Sequence, residues 1–174
     1  MKFNNYNSDE CKVLKELFNT MPLMDTNIAN IIEEYIYSTV REYYSDGSIK
    51  CEYRTKYGEK DGEYKMWFQK NDNSVEDRGQ LGIQTQYIEN KIHGEYKRWF
   101  SNGQLCIQTH LVKGKLHGEY KEWHRVADNS VEDRGQLMFQ IHYVESKYNG
   151  EYKEWDEEGN LIKDTTYIEG VEIV

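Results

Sequence analysis

Apolar residues follow two different periods along this chain, and the change falls near residue 41. Before it the spacing is helical. Val13, Leu14, Leu17 and Phe18 fall at i, i+1, i+4 and i+5, and Met21-Pro22-Leu23-Met24 interrupts that stripe. Asp25 or Thr26 can cap a second helix, with Ile28, Ile31, Ile32, Tyr35 and Ile36 on one face and Glu33 and Glu34 on the other. Residues 1–40 are therefore expected to form a short helical hairpin. After residue 41 the period becomes two. Leu105, Ile107, Thr109 and Leu111 share one side of a strand, while Cys106, Gln108 and His110 share the other.

The strand region is repetitive. Gly-Glu-Tyr-Lys-x-Trp begins at Gly62, Gly94, Gly118 and Gly150, so successive copies are 32, 24 and 32 residues apart. A second signature, Gly-Gln/Asn-Leu, begins at Gly79, Gly103, Gly135 and Gly159. The long spacings carry an extra octet, and its core Asp-Asn-Ser-Val-Glu-Asp-Arg occurs at 72–78 and 128–134. The economical reading is a 56-residue duplication laid over a 24-residue unit. Arg41 to Gly47 supplies a half-unit at the front. Each unit reads as two strands joined by turns such as Asn102-Gly103 and Lys113-Gly114, where positive φ is cheap. The last strand is expected over 165–174. One hairpin is marginal in water, so neighbours must share their aromatic faces. The predicted fold is mainly β: an elongated antiparallel sheet of hairpins over 41–174, capped by the helical hairpin.

Composition sharpens this picture. Of the 174 residues 37% are hydrophobic, yet 15 are Tyr and 4 are Trp. Burial must rest on large rings with polar tips, which suits a thin sheet. The net charge of −9 repels phosphate backbones and anionic membrane surfaces, so no nucleic acid is expected and the charge speaks against a membrane. Three widely spaced cysteines without a CxxC read as reduced thiols, and no signal peptide or apolar span is evident, so a cytoplasmic site is expected.

Candidate chemistry is sparse. His93 and His117 belong to the repeat turns, and the other histidines are scattered, so no metal site is predicted. Glu63, Glu95, Glu119 and Glu151 recur with the repeat two residues before a Lys, which points to cross-strand ion pairs on a solvated ladder rather than a catalytic pair. No nucleophile elbow, phosphate loop or dinucleotide fingerprint occurs, and neither a catalytic residue nor a cofactor is expected. Period two places Tyr64 and Trp67 on opposite faces of a regular strand, so one aromatic series must face solvent at least in part. The candidate partner-binding residues are therefore Tyr64, Tyr96, Tyr120 and Tyr152. The octets, with Asp72, Glu76 and Arg78 and with Asp128, Glu132 and Arg134, are expected to project from one sheet edge and add a second candidate surface.

The pairing of Gly-Glu-Tyr-Lys-x-Trp with x-x-Gly-Gln-Leu and Tyr-x-x-Gly-Lys-x-x-Gly resembles the MORN repeat, in the variant found in bacterial antitoxin-like proteins and large DNA viruses of amoebae. The resemblance covers 41–170, about three-quarters of the chain. It implies an elongated sheet of hairpins, a non-enzymatic scaffold for protein partners and, in some members, membrane-lipid contacts. For a viral protein it implies the host cytoplasm or the virion. Met21-Pro22-Leu23-Met24 followed by Ile28 to Tyr37 resembles the degenerate F-box of the same viral proteins, which implies docking to a Skp1-like adaptor of a ubiquitin ligase. The free edge of such a sheet leaves homo-oligomer formation open.

Overall fold

Five two-residue turns organise the sheet. Tyr57-Gly58, Glu89-Asn90, Lys113-Gly114, Glu145-Ser146 and Glu169-Gly170 all have positive φ at both positions. That geometry matches the right-handed twist of the flanking strands and closes tight antiparallel hairpins. A computed structural model of the protein describes residues 36–70, 78–125 and 135–173. Eleven strands lie in one sheet in sequence order, every neighbour antiparallel. They are β1 (Tyr37–Tyr43), β2 (Ile49–Lys56), β3 (Glu59–Trp67), β4 (Leu81–Ile88), β5 (Lys91–Trp99), β6 (Leu105–Val112), β7 (Lys115–Trp123), β8 (Leu137–Val144), β9 (Lys147–Trp155), β10 (Leu161–Ile168) and β11 (Val171–Ile173).

The repeat glycine marks a bulge. Thr85 pairs with Tyr96 but Tyr87 pairs with Ile92, so β5 spends four residues where β4 spends two. The same shift separates Thr109/Leu111 on β6 and Ile141/Tyr143 on β8. Gly62, Gly94, Gly118 and Gly150 all have positive φ there, which an L side chain adopts only at a cost. Turns also bond back to the previous unit. Asn90 N–H donates to the Lys60 carbonyl at 2.9 Å, and Gly114 N–H to the Ile92 carbonyl at 2.8 Å. Ser146 and Gly170 repeat the bond to Leu116 and Tyr148. Units are thus stitched together by backbone as well as by side chains.

The longer connections share one closure. Phe100 N–H donates to the Gln104 carbonyl in the short loop, and Phe68 N–H to Gln80 and His124 N–H to Gln136 where the octets are inserted. The three closures are therefore equivalent, and all lie at one edge of the sheet. Asp72, Glu76, Asp128, Glu132 and Arg134 themselves lie outside the described residues. The buried residues collect near these closures: Ile49, Cys51, Trp67, Leu105, Cys106, Trp123 and Gln104, with Thr55, Thr85, Thr109 and Ile141 along the strands.

Two expectations change, and a third is left untested. Residues 37–40 are the first half of β1 rather than the end of a helix, because Ser38, Thr39 and Val40 pair with Thr55, Arg54 and Tyr53. β-branched side chains favour that extended backbone. Residues 1–35 of the expected helical hairpin, and with them most of the segment read as docking a Skp1-like adaptor, lie outside the described residues. The last strand expected over 165–174 is instead divided by Glu169-Gly170 into β10 and β11.

Candidate interaction face

From Gly62 to Trp67, β3 pairs without interruption on its own side, so alternation puts Tyr64 and Met66 on one face and Lys65 and Trp67 on the other. The bulge that accompanies Trp67 falls on β4, between Leu81 and Ile83. The same arrangement holds for β5, β7 and their partners. Two of the four tryptophans are buried under the loop edge, Trp67 at 5% and Trp123 at 6% exposed, whereas Trp99 and Trp155 are half-buried. Arg78 closes over the Trp67 ring at 4.8 Å, so this octet residue is anchored in packing.

The Lys side of the sheet is a polar ladder that satisfies itself. Lys65, Lys97, Lys121 and Lys153 meet Glu63, Glu95, Glu119 and Glu151 at 2.8, 2.9, 2.7 and 3.1 Å. These ion pairs run along one strand, two residues apart, rather than across strands as expected. The register explains the difference, since it sets Gln84, Gln108 and Gln140 opposite the lysines. Those amides then donate to Glu63, Glu95 and Glu119 at 3.1, 3.0 and 2.6 Å. The lysine bonds hold the Glu63 and Glu95 carboxyls below the usual carboxylate range. Two shallow depressions of 160 and 280 Å³ lie between units, lined by ladder Glu, Gln and Lys residues together with Thr85, Gln86, Thr109 and His110.

The Tyr side is different. Its rings are partly exposed and fall into two clusters. In the first, Tyr64 stacks on Tyr53 at 5.9 Å and meets Tyr87 edge-on at 5.6 Å. Lys60 lies over all three rings, 4.6, 4.9 and 5.2 Å from their centroids. In the second, Phe139 is sandwiched between Tyr120 at 5.4 Å and Tyr152 at 6.2 Å, and Tyr143, Tyr148 and Tyr167 continue the contact. Such pairs add about 0.5–1.5 kcal/mol each beyond area burial. Tyr96 lies between the clusters, flanked by Thr85 and Thr109. The four predicted tyrosines thus share one face but divide between two clusters and a spacer. Burial raises the phenol pKa of Tyr64 and Tyr152 to about 12, and raises those of Tyr96, Tyr120 and Tyr143 as well.

Sequence reasoning missed a second series on this face. The x of Gly-Glu-Tyr-Lys-x-Trp lies two residues after Tyr and so shares its side. It is Met66, Arg98, Glu122 and Glu154 in turn. Tyr120 donates to Glu122 at 2.8 Å and Tyr152 to Glu154 at 2.9 Å. Phe139 is the register partner of both glutamates. The signal in the sequence is the two-residue offset, which is masked because x varies while its neighbours repeat. Among the described residues no group of three or more His, Cys, Asp or Glu is gathered as a metal site would need.

Residues 92–113 and 148–169 each match the model of the MORN repeat variant. The two segments are equivalent stretches of the second and fourth units, each opening two residues before the repeat glycine. A comparison with curated proteins gives no match. Among solved structures, a mutant S. aureus TarM in complex with Fondaparinux, alpha-GlcNAc-glycerol and UDP is 14% identical. That alignment covers 96% of this chain and 27% of the other, with a TM-score of 0.34, at which the likeness carries no argument.

Proposed function

We propose that this chain is a non-enzymatic repeat scaffold that mediates protein–protein interaction and docks its partner on the tyrosine face. The observation that carries the reading is the contrast between the two sides of one sheet. On the ladder side each repeat glutamate has a lysine and most also have a glutamine. On the tyrosine side partly exposed rings run from Tyr53 to Tyr167. Rings are what interface centres use, because they supply large area for few rotatable bonds. The match to the MORN repeat variant, a repeat generally associated with protein and membrane contacts, supports the same reading. The net charge of −9 favours a protein partner over an anionic membrane.

The test is comparative capture from lysate. Wild type, Ile107→Lys on the tyrosine face and Lys121→Glu on the ladder face are used as baits, each checked for an unchanged β-sheet spectrum. The reading expects Ile107→Lys to lose proteins that wild type and Lys121→Glu both retain. Retention by Ile107→Lys with loss by Lys121→Glu would assign the docking face to the other side.

A further inference from the structure

We infer that the second aromatic cluster, around Phe139, receives a basic segment of the protein partner, with its arginine or lysine side chains against Glu122 and Glu154. The inference rests on the proposed docking role and names the chemistry of what docks.

The first argument is charge. Among the described residues neither Glu122 nor Glu154 takes part in a salt bridge, whereas every repeat glutamate on the opposite face does. Each accepts one phenol hydrogen bond, and a carboxylate has room for about three more. Two strand spacings separate the pair, on the order of 10 Å. Phe139 lies between them with Tyr120 and Tyr152 stacked on its faces. The cations already on this side stand at its borders. Arg98 is separated from Glu122 by Ile107, and Lys163 pairs in register with Glu154. The Lys163 ammonium is directed to the Tyr167 hydroxyl at 3.2 Å and to Glu172 at 3.2 Å.

The second argument is internal. The protein itself shows what this face does with a cation. In the first unit the ammonium of Lys60 rests within about 5 Å of three tyrosine rings, a cation–π arrangement. At the equivalent position the second, third and fourth units carry Ile92, Leu116 and Tyr148, so the later units lack an ammonium at that position. Lys163 repeats the contact at the far border, over Tyr152 at 5.3 Å and Tyr167 at 5.7 Å. Rings with carboxylates at hand suit guanidinium above all, because it stacks flat on a ring while its edge pairs with a carboxylate.

The probe is the labelled peptide Arg-Ala-Ala-Arg-Ala-Ala-Arg, with Glu-Ala-Ala-Glu-Ala-Ala-Glu as its counterpart. Both are titrated into the full chain at physiological ionic strength, where distant surface charges are screened. The basic peptide should bind and the acidic one should not. Glu122→Gln/Glu154→Gln keeps acceptors for both phenols and should weaken binding about tenfold, the loss of one or two charge-assisted contacts. Glu119→Gln/Glu151→Gln removes the same formal charge from the ladder and should change affinity less than about twofold, as solvated, screened pairs do. Glu122→Lys/Glu154→Lys should reverse the preference toward the acidic peptide. No binding of the basic peptide, or equal losses in the two Gln pairs, overturns the inference. If Ile107→Lys still loses lysate partners in that case, the docking face stands and only its chemistry is wrong.

Discussion

The hydroxyl of Tyr120 donates to the carboxylate of Glu122, two residues along the same strand, at 2.8 Å. Tyr152 and Glu154 repeat the contact at 2.9 Å on the next repeat strand. The pairs sit on the one face where the ring stack provides the packing. Removing the hydroxyl and removing the ring should therefore differ sharply. Tyr120→Phe keeps the stack on Phe139 and should cost about 1 kcal/mol, the net worth of one hydrogen bond. Tyr120→Ala should cost about 3 kcal/mol, the low end for losing a large ring. Urea unfolding of the two variants checks the difference.

The tryptophans at the loop edge predict a different gradient. Trp123 is 6% exposed and lies where the second octet leaves the sheet. Trp123→Ala should cost about 3–5 kcal/mol, the range for deleting a buried aromatic side chain. A variant with an unchanged melting curve would remove the tryptophan from the packed edge.

Titration of the two faces predicts unequal pH limits. Burial raises the phenols of Tyr64 and Tyr152 to about 12, so the folded chain favours their neutral form. Their contribution is complete below the unfolded phenol value of about 10 and is lost as pH climbs through 12. The carboxyls of Glu63 and Glu95 are depressed, first by their lysines, so their contribution is present above about 4.3 and lost as pH falls through the folded value. Those glutamates lie on the solvated ladder and carry little weight. Melting temperature should fall steeply between about pH 10 and 12, with phenolate absorbance rising in the same window. Weakening by the ladder glutamates on the acid side should be shallow.

Glycine requirements should rank by what surrounds each position. A Cβ on Gly79 would meet the Phe68 carbonyl oxygen at 2.2 Å, next to the Phe68 N–H to Gln80 bond that closes the loop. Gly114 has φ +84 and nothing within 4 Å. Gly114→Ala should cost about 1–2 kcal/mol for its left-handed backbone. Gly79→Ala should cost about 3 kcal/mol or more, because backbone must move. Thermal melts of the pair decide the order.

Much of this was legible because the chain repeats itself. The recurrence of Glu-Tyr-Lys fixed the strands, and alternation placed Tyr64 opposite Trp67. The bulge at Gly62 and its equivalents was harder to see, because two extra residues on one strand leave no mark until the partner strand is known. Residues 37–40 continue a helical stripe in sequence, yet pairing with β2 overrides that local period. The recurrence alone predicts cross-strand ion pairs, because the glutamine opposite each lysine depends on register. Glu122 and Glu154 are hidden in the sequence because a varying position between constant neighbours reads as a spacer.

The most direct test follows side chains that can belong to only one face. Methyl signals of Ile83 and Ile107 report the tyrosine side, and side-chain amide signals of Gln84, Gln108 and Gln140 report the ladder. With a captured partner added to the labelled chain, the account predicts shifts in the isoleucine methyls while the glutamine amides stay in place. Shifts confined to the glutamine amides would contradict it.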